Sequence, residues 1–194
     1  MSKANPIVVF LFILVVIAGM GGIALLKGGF YVAKHEGDTL HLLQIVFRMA
    51  DGEWPHLDFM TPIGVLAFAP IAAFVNAGFG VGAAILWAQI AVALGLALPT
   101  FWAAYTRFSN GLAYLFALTV MVLCLALVHG QTDQLVSISM HYNRWAWAVS
   151  YIVVVLAVLP AMRGGTGLVD GVILGLGLAA LALCKVTYFV AFAP

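Results

Sequence analysis

The stretch Pro6-Ile-Val-Val-Phe-Leu-Phe-Ile-Leu-Val-Val-Ile-Ala-Gly-Met-Gly-Gly-Ile-Ala-Leu-Leu26 carries no charged side chain. Wound as a helix at about 1.5 Å per residue, it is long enough to cross a hydrocarbon core of about 30 Å. No Ala-x-Ala style cleavage site stands beside Met20 to Ile23, so the segment reads as a permanent span and not as a removed signal peptide. The rest of the chain has the same character. Of its 194 residues 65% are hydrophobic and 8% charged, where soluble domains carry about 25% charged residues. A water-soluble fold of this composition has too little polar surface to cover itself.

Outward from that first span, residues 62–77, 80–104, 112–128, 145–162 and 168–192 are each apolar enough to cross a membrane. Turn chemistry separates them at Asn76-Ala-Gly-Phe-Gly80, Arg107-Phe-Ser-Asn-Gly111 and Arg163-Gly-Gly-Thr166. The expected fold is all-α, a polytopic transmembrane helix bundle of about six spans forming one domain over residues 1–194. The final run Tyr188-Phe-Val-Ala-Phe-Ala-Pro194 stays apolar to its end, from which the native polypeptide is expected to continue. Cys124 and Cys184 sit inside apolar runs and read as small hydrophobes. Lys and Arg number 8 against 7 Asp and Glu, which leaves no net field to attract nucleic acid. Partners are sought among membrane lipids and other membrane subunits. With the N-terminus in the cytoplasm, six spans place Lys3, Arg144 and Lys185 inside against Lys27, Lys34, Arg48, Arg107 and Arg163 outside, contrary to the positive-inside rule.

All 5 histidines and six of the 7 acids fall in two segments, Lys27 to Thr61 and His129 to Arg144. Charges avoid mid-bilayer in any membrane protein, so this segregation alone is not functional. The first segment is nevertheless far longer than the two to eight residues that usually join packed helices. Within it Leu42, Leu43, Val46, Phe47 and Met49 recur at helical spacing, and His41, Gln44, Arg48 and Asp51 follow at steps of three, four and three. This predicts an amphipathic helix over 38–51 lying along the membrane surface, with Asp38 or Thr39 as cap and Gly52 as terminator. Trp54-Pro55 then supplies an interfacial aromatic and a stop, and Thr61-Pro62 opens the next span.

Asp38 reads either as a helix cap or as a carboxylate base at the membrane surface. Arg48 suits a phosphate, which a guanidinium grips with two hydrogen bonds, and equally suits a lipid headgroup. His35, His41 and His56 lack both His-x-x-x-His spacing and a cysteine partner, so a divalent metal has no support from them. The second polar segment ends in His141-Tyr-Asn-Arg144, where Arg144 opens the following span beside Trp145 and Trp147. Lys185 stands alone in the last apolar run, about 22 Å along the helix from Asp170, and either reaches an interface or meets an acid of another helix.

A single N-terminal span, the loop Glu36-Gly-Asp38-Thr-Leu-His41, the stretch Gly52-Glu-Trp-Pro55-His-Leu-Asp58-Phe and Thr61-Pro62-Ile-Gly64 together resemble the front third of the GT-C class of membrane glycosyltransferases. The resemblance covers roughly residues 6 to 66 and implies a polyprenyl-phosphate-linked sugar donor, a bacterial inner-membrane setting and a catalytic Asp in the first extracytoplasmic loop. By position that role falls on Asp38, with Asp58 or Glu36 behind it and Arg48, His41 and Arg144 as substrate contacts. The Asp-Glu pair of the protein-mannosyltransferase branch is Asp38-Thr39 here, and that class usually has more spans. Three full spans between the polar segments would put them on opposite faces. Either one of those spans is re-entrant or the second segment has another role. Two other functions fit the composition: a non-catalytic subunit or assembly factor of a larger membrane complex, and a transporter fragment with Lys185 as its intramembrane charge.

Overall fold

A computed structural model of the chain describes residues 4–28, 31–32, 36–126, 135–136, 141–163 and 167–192. The elements run α1 (Pro6–Lys27), β1 (Tyr31–Val32), α2 (Glu36–Ala50), α3 (Ala69–Asn76), α4 (Val81–Arg107), α5 (Asn110–Leu125), β2 (Leu135–Val136), α6 (His141–Val158), α7 (Gly167–Cys184) and α8 (Val186–Phe192). The expected all-helical membrane bundle is the fold. Helices α1, α4 and α7 are long and apolar enough to cross a membrane, and the shorter α5 is apolar too.

Local chemistry sets the ends of α1. The Asn5 side chain accepts from the backbone N–H groups of Ile7 and Val8, Pro6 occupies the first turn, and Lys27 completes the last. Gly28 closes the helix at φ 66°, its N–H returning to the Ala24 carbonyl.

Pairwise contacts give the helix directions. Phe10 meets Phe101, whereas a Cβ on Gly21 would press on Ile90, so α4 runs antiparallel to α1. Phe12 meets Tyr114 and Gly21 faces Leu125, so α5 runs parallel to α1. Helix α6 runs alongside α4: the Trp145 indole donates to Gln89 at 2.7 Å, and beyond the helix the Met162 N–H donates to the Thr106 carbonyl at 2.9 Å. Helix α7 returns against both. Asp170 meets Trp102 and Arg107 near its start, and Cys184 meets Gly64 at its end.

The segment 62–77 departs from the expected single span. It is a 3-10 turn, Val65–Ala67, followed by the eight residues of α3, about 12 Å of helix, too short to cross. Pro62 does not open this helix; Phe68 precedes it and Pro70 lies in its first turn. The Gly64 N–H instead donates to the Cys184 carbonyl at 2.9 Å, and a Cβ on Gly64 would lie 2.0 Å from the Leu183 carbonyl oxygen. Residues 168–192 are likewise not one span, since the helix breaks at Lys185 and α8 packs back on α6 and α7.

Because α3 does not cross, both polar segments lie at the same end of the bundle, which we call the polar end. The parallel pairing of Tyr31 with Leu135 and Val32 with Val136 ties them together. The structure thus favours the re-entrant alternative and resets the charge count. Among the described residues Lys27, Arg48, Arg144 and Lys185 belong to the polar end, and Arg107 and Arg163 to the other.

Candidate functional site at the polar end

The amphipathic pattern over 38–51 is a helix over 36–50, and Gly52 follows its end at φ 93°, a left-handed conformation that favours glycine. Thr39, Leu42, Ile45 and Val46 form its buried face, packed with Ala67, Phe68 and Ile71. The expected apolar set is therefore divided: Leu42 and Val46 are buried against the bundle, whereas Phe47 is exposed together with Leu40, one apolar pair on the outer side. The helix begins at Glu36, which places Asp38 inside the first turn and not at the cap position expected for it. A carboxylate there still faces the positive end of the helix dipole.

Asp38 and His41 of α2 line a cavity of about 60 Å³ with Leu42, Ile63, Phe68 and Tyr142. Tyr142 belongs to the first turn of α6, so the cavity joins the two polar segments. Around it the Lys185 Nζ lies 5.7 Å from the centre of the Tyr142 ring. The Tyr188 hydroxyl donates to Asn143 Oδ1 at 3.1 Å, and the His141 Nε2 donates to the Ala67 carbonyl at 2.7 Å. His141, the first residue of α6, is buried against the turn before α3. At this volume the cavity holds a water molecule or two. Beside it Asp38 and His41 are both exposed.

The other sequence candidates lie elsewhere. Glu36 is exposed at the first residue of α2. Arg48 is about 15 Å along α2 from Asp38, bonded to Glu53 and stacked 4.1 Å from the centre of the Phe59 ring. Asp58 accepts from the Trp54 N–H at 2.7 Å and closes a tight turn in which His56 takes φ 67° and donates its N–H to the Phe59 carbonyl. Arg48 and Asp58 are thus accounted for by local structure. Arg144 is buried, two residues and so about 200° round α6 from Tyr142. His35 and Asp133 fall outside the described residues. Among those described, no three His, Cys, Asp or Glu side chains gather as a metal site requires.

Sequence reading missed Tyr142 as a cavity partner of Asp38, and Lys185 beside Tyr142, because the assumed span 62–77 put their segments on opposite faces. The proline and glycine at 62 and 64, ill suited to a continuous apolar helix, were the available signal. No family model, curated protein or solved structure matches the chain.

Proposed function

We propose that the chain transfers a sugar from a lipid-phosphate donor to an acceptor at the polar end of the bundle, in a bacterial inner membrane, with Asp38 as the base. The observation that supports this most is the meeting of Asp38, His41 and Tyr142 around one cavity at the end of an apolar bundle, where a lipid-borne substrate presents its headgroup. In the proposed step the Asp38 carboxylate takes the acceptor hydroxyl proton as the acceptor oxygen attacks the anomeric carbon. The phosphate leaves with the electrons of the broken glycosidic bond. His41 and the Tyr142 hydroxyl offer hydrogen bonds to the reacting groups, and the Lys185 ammonium offers positive charge for the departing phosphate.

The second reading, a non-catalytic subunit of a membrane complex, draws on α7. Its described buried residues are Asp170, Leu181 and Cys184, so most of this long apolar helix faces outward, to lipid or to a partner helix.

One experiment separates the two. The full chain, reconstituted with a panel of polyprenyl-phosphate sugars, should transfer sugar. Asp38→Asn should lower the rate by about 10²–10⁴ while the protein remains folded, because the change costs only about 0.3–1 kcal/mol of dipole interaction. Asp58→Asn should stay near the unmodified rate. Transfer undiminished in Asp38→Asn removes the assigned base, and no transfer by the unmodified chain from any donor leaves the subunit reading.

A further inference from the structure

The cavity beside Asp38 is small and polar, and both properties select what enters it. Asp38, His41 and Tyr142 bring a carboxylate, an imidazole and a phenol hydroxyl to a space of about 60 Å³. A site holds water when it is polar, offers two or more hydrogen-bonding groups and exceeds the room that one molecule takes in the liquid, about 30 Å³. All of these conditions are met here. A benzene ring, by contrast, occupies a cavity of about 150 Å³, and a sugar ring with its hydroxyls is larger still. The walls are not free to retreat. Leu42, Phe68 and Tyr142 are 4%, 1% and 9% exposed and pack in one core with Val46, Ile71 and Trp145, and close-packed cores yield little volume without loss of stability.

Asp38 lines this cavity and is also exposed on the outside of the bundle. A lipid-borne sugar phosphate is too bulky for the cavity and meets Asp38 from the exposed side. In a direct displacement the nucleophile attacks the face of the anomeric carbon opposite the leaving group. Inverting glycosidases work in this way, with a carboxylate base holding a water on that face. With the donor outside, the space left on the far side of Asp38 is the cavity, and only a molecule about the size of water fills it.

We propose that the acceptor is water and that the chain hydrolyses lipid-phosphate-linked sugars, one water in the cavity between Asp38, His41 and Tyr142 serving as the nucleophile. Water as acceptor rests on the transfer reading and on Asp38 as its base. The Asp38 carboxylate takes one proton of the water as the water oxygen bonds to the anomeric carbon. The bond from that carbon to the phosphate oxygen breaks, and its electron pair stays on the phosphate. Free sugar and lipid phosphate result, and the proton passes from Asp38 to bulk water on its exposed side. Nothing is oxidised or reduced.

The full chain in nonionic detergent is given the same panel of polyprenyl-phosphate sugars in water labelled with heavy oxygen, with no other acceptor. It should release free sugar and polyprenyl phosphate, the phosphate carrying no label because the bond between carbon and oxygen is the one that breaks. Asp38→Asn, checked for folding by its thermal unfolding, should lower the release by about 10²–10⁴. Added glycerol should not divert the sugar, since it is too large for the cavity, and free sugar should remain the product. A donor that is stable in water but consumed once glycerol, a sugar or a lipid alcohol is added overturns water as the acceptor and leaves the transfer reading standing. A donor left intact with every acceptor overturns both. A glyceryl glycoside formed by the unmodified chain, label in the released phosphate, or release undiminished in folded Asp38→Asn each overturns the cavity water as the nucleophile. The glycerol and label measurements use the unmodified chain and decide the matter if Asp38→Asn does not fold.

Discussion

Arg107 and Asp170 are 63 positions apart in sequence and meet at 2.6 Å at the end of the bundle opposite the polar segments. Both are largely buried, and the Asp170 carboxylate also accepts from the Trp102 indole at 2.7 Å. Thr106 extends the cluster, accepting from Arg107 at 3.0 Å and donating to the Trp102 carbonyl at 2.7 Å. Each residue alone reads as an ordinary loop-end charge, and nothing in its neighbours announces the other. The pair clamps α4 to α7. Removing one partner strands the other as a buried charge, so Arg107→Met and Asp170→Asn should each destabilise the protein by about 3–5 kcal/mol. The double variant Arg107→Met with Asp170→Leu should recover much of that loss, because no charge is then left unpaired. Thermal unfolding in detergent reads both, and single variants as stable as the unmodified protein would show that the cluster does not clamp these helices.

At the scale of elements, what was legible followed from periodicity and what was hidden followed from tertiary contact. Helix α1 is visible because a long uncharged apolar run has one stable form in a bilayer. Helix α2 is visible because its polar residues repeat at helical spacing, and Gly52 marks its end through a backbone angle that favours glycine. Its outer pair, Leu40 and Phe47, was less legible because both sides of the helix carry apolar residues and only the packing against Phe68 and Ile71 selects the buried one. Residues 62–77 have the hydrophobicity of a span. Their interruption depends on the close approach of Gly64 to the end of α7, a contact with a residue 120 positions later of which Pro62 and Gly64 are the only local trace. Gly64→Ala should therefore destabilise the protein by about 1–3 kcal/mol, because its Cβ would collide with the backbone of Leu183, which cannot turn aside as a side chain does. Gly82→Ala, with open space around its Cβ, is the matched control and should leave the melting temperature unchanged or raise it.

For the whole molecule, the consequence of a short α3 is that every long helix after it runs opposite to the direction a six-span count assigns. That reversal brings Asp38 to Tyr142, gives the proposed reaction a site assembled from two distant segments, and collects most of the described cations at one end. The positive-inside rule then assigns the polar end to the cytoplasm, whereas the transferase resemblance assigns it to the extracytoplasmic side, so the side on which the end lies bears on function as well as topology. The convergence itself is tested most directly by thiol labelling in sealed vesicles with a membrane-impermeant maleimide. Single cysteines are placed at Glu53, at Gln131 in the connection between α5 and α6, and at Met162; the native Cys124 and Cys184 are buried and should stay unlabelled. Glu53→Cys and Gln131→Cys should label from the same side of the membrane and Met162→Cys from the other, whereas labelling of Glu53→Cys and Gln131→Cys from opposite sides would contradict the shared polar end.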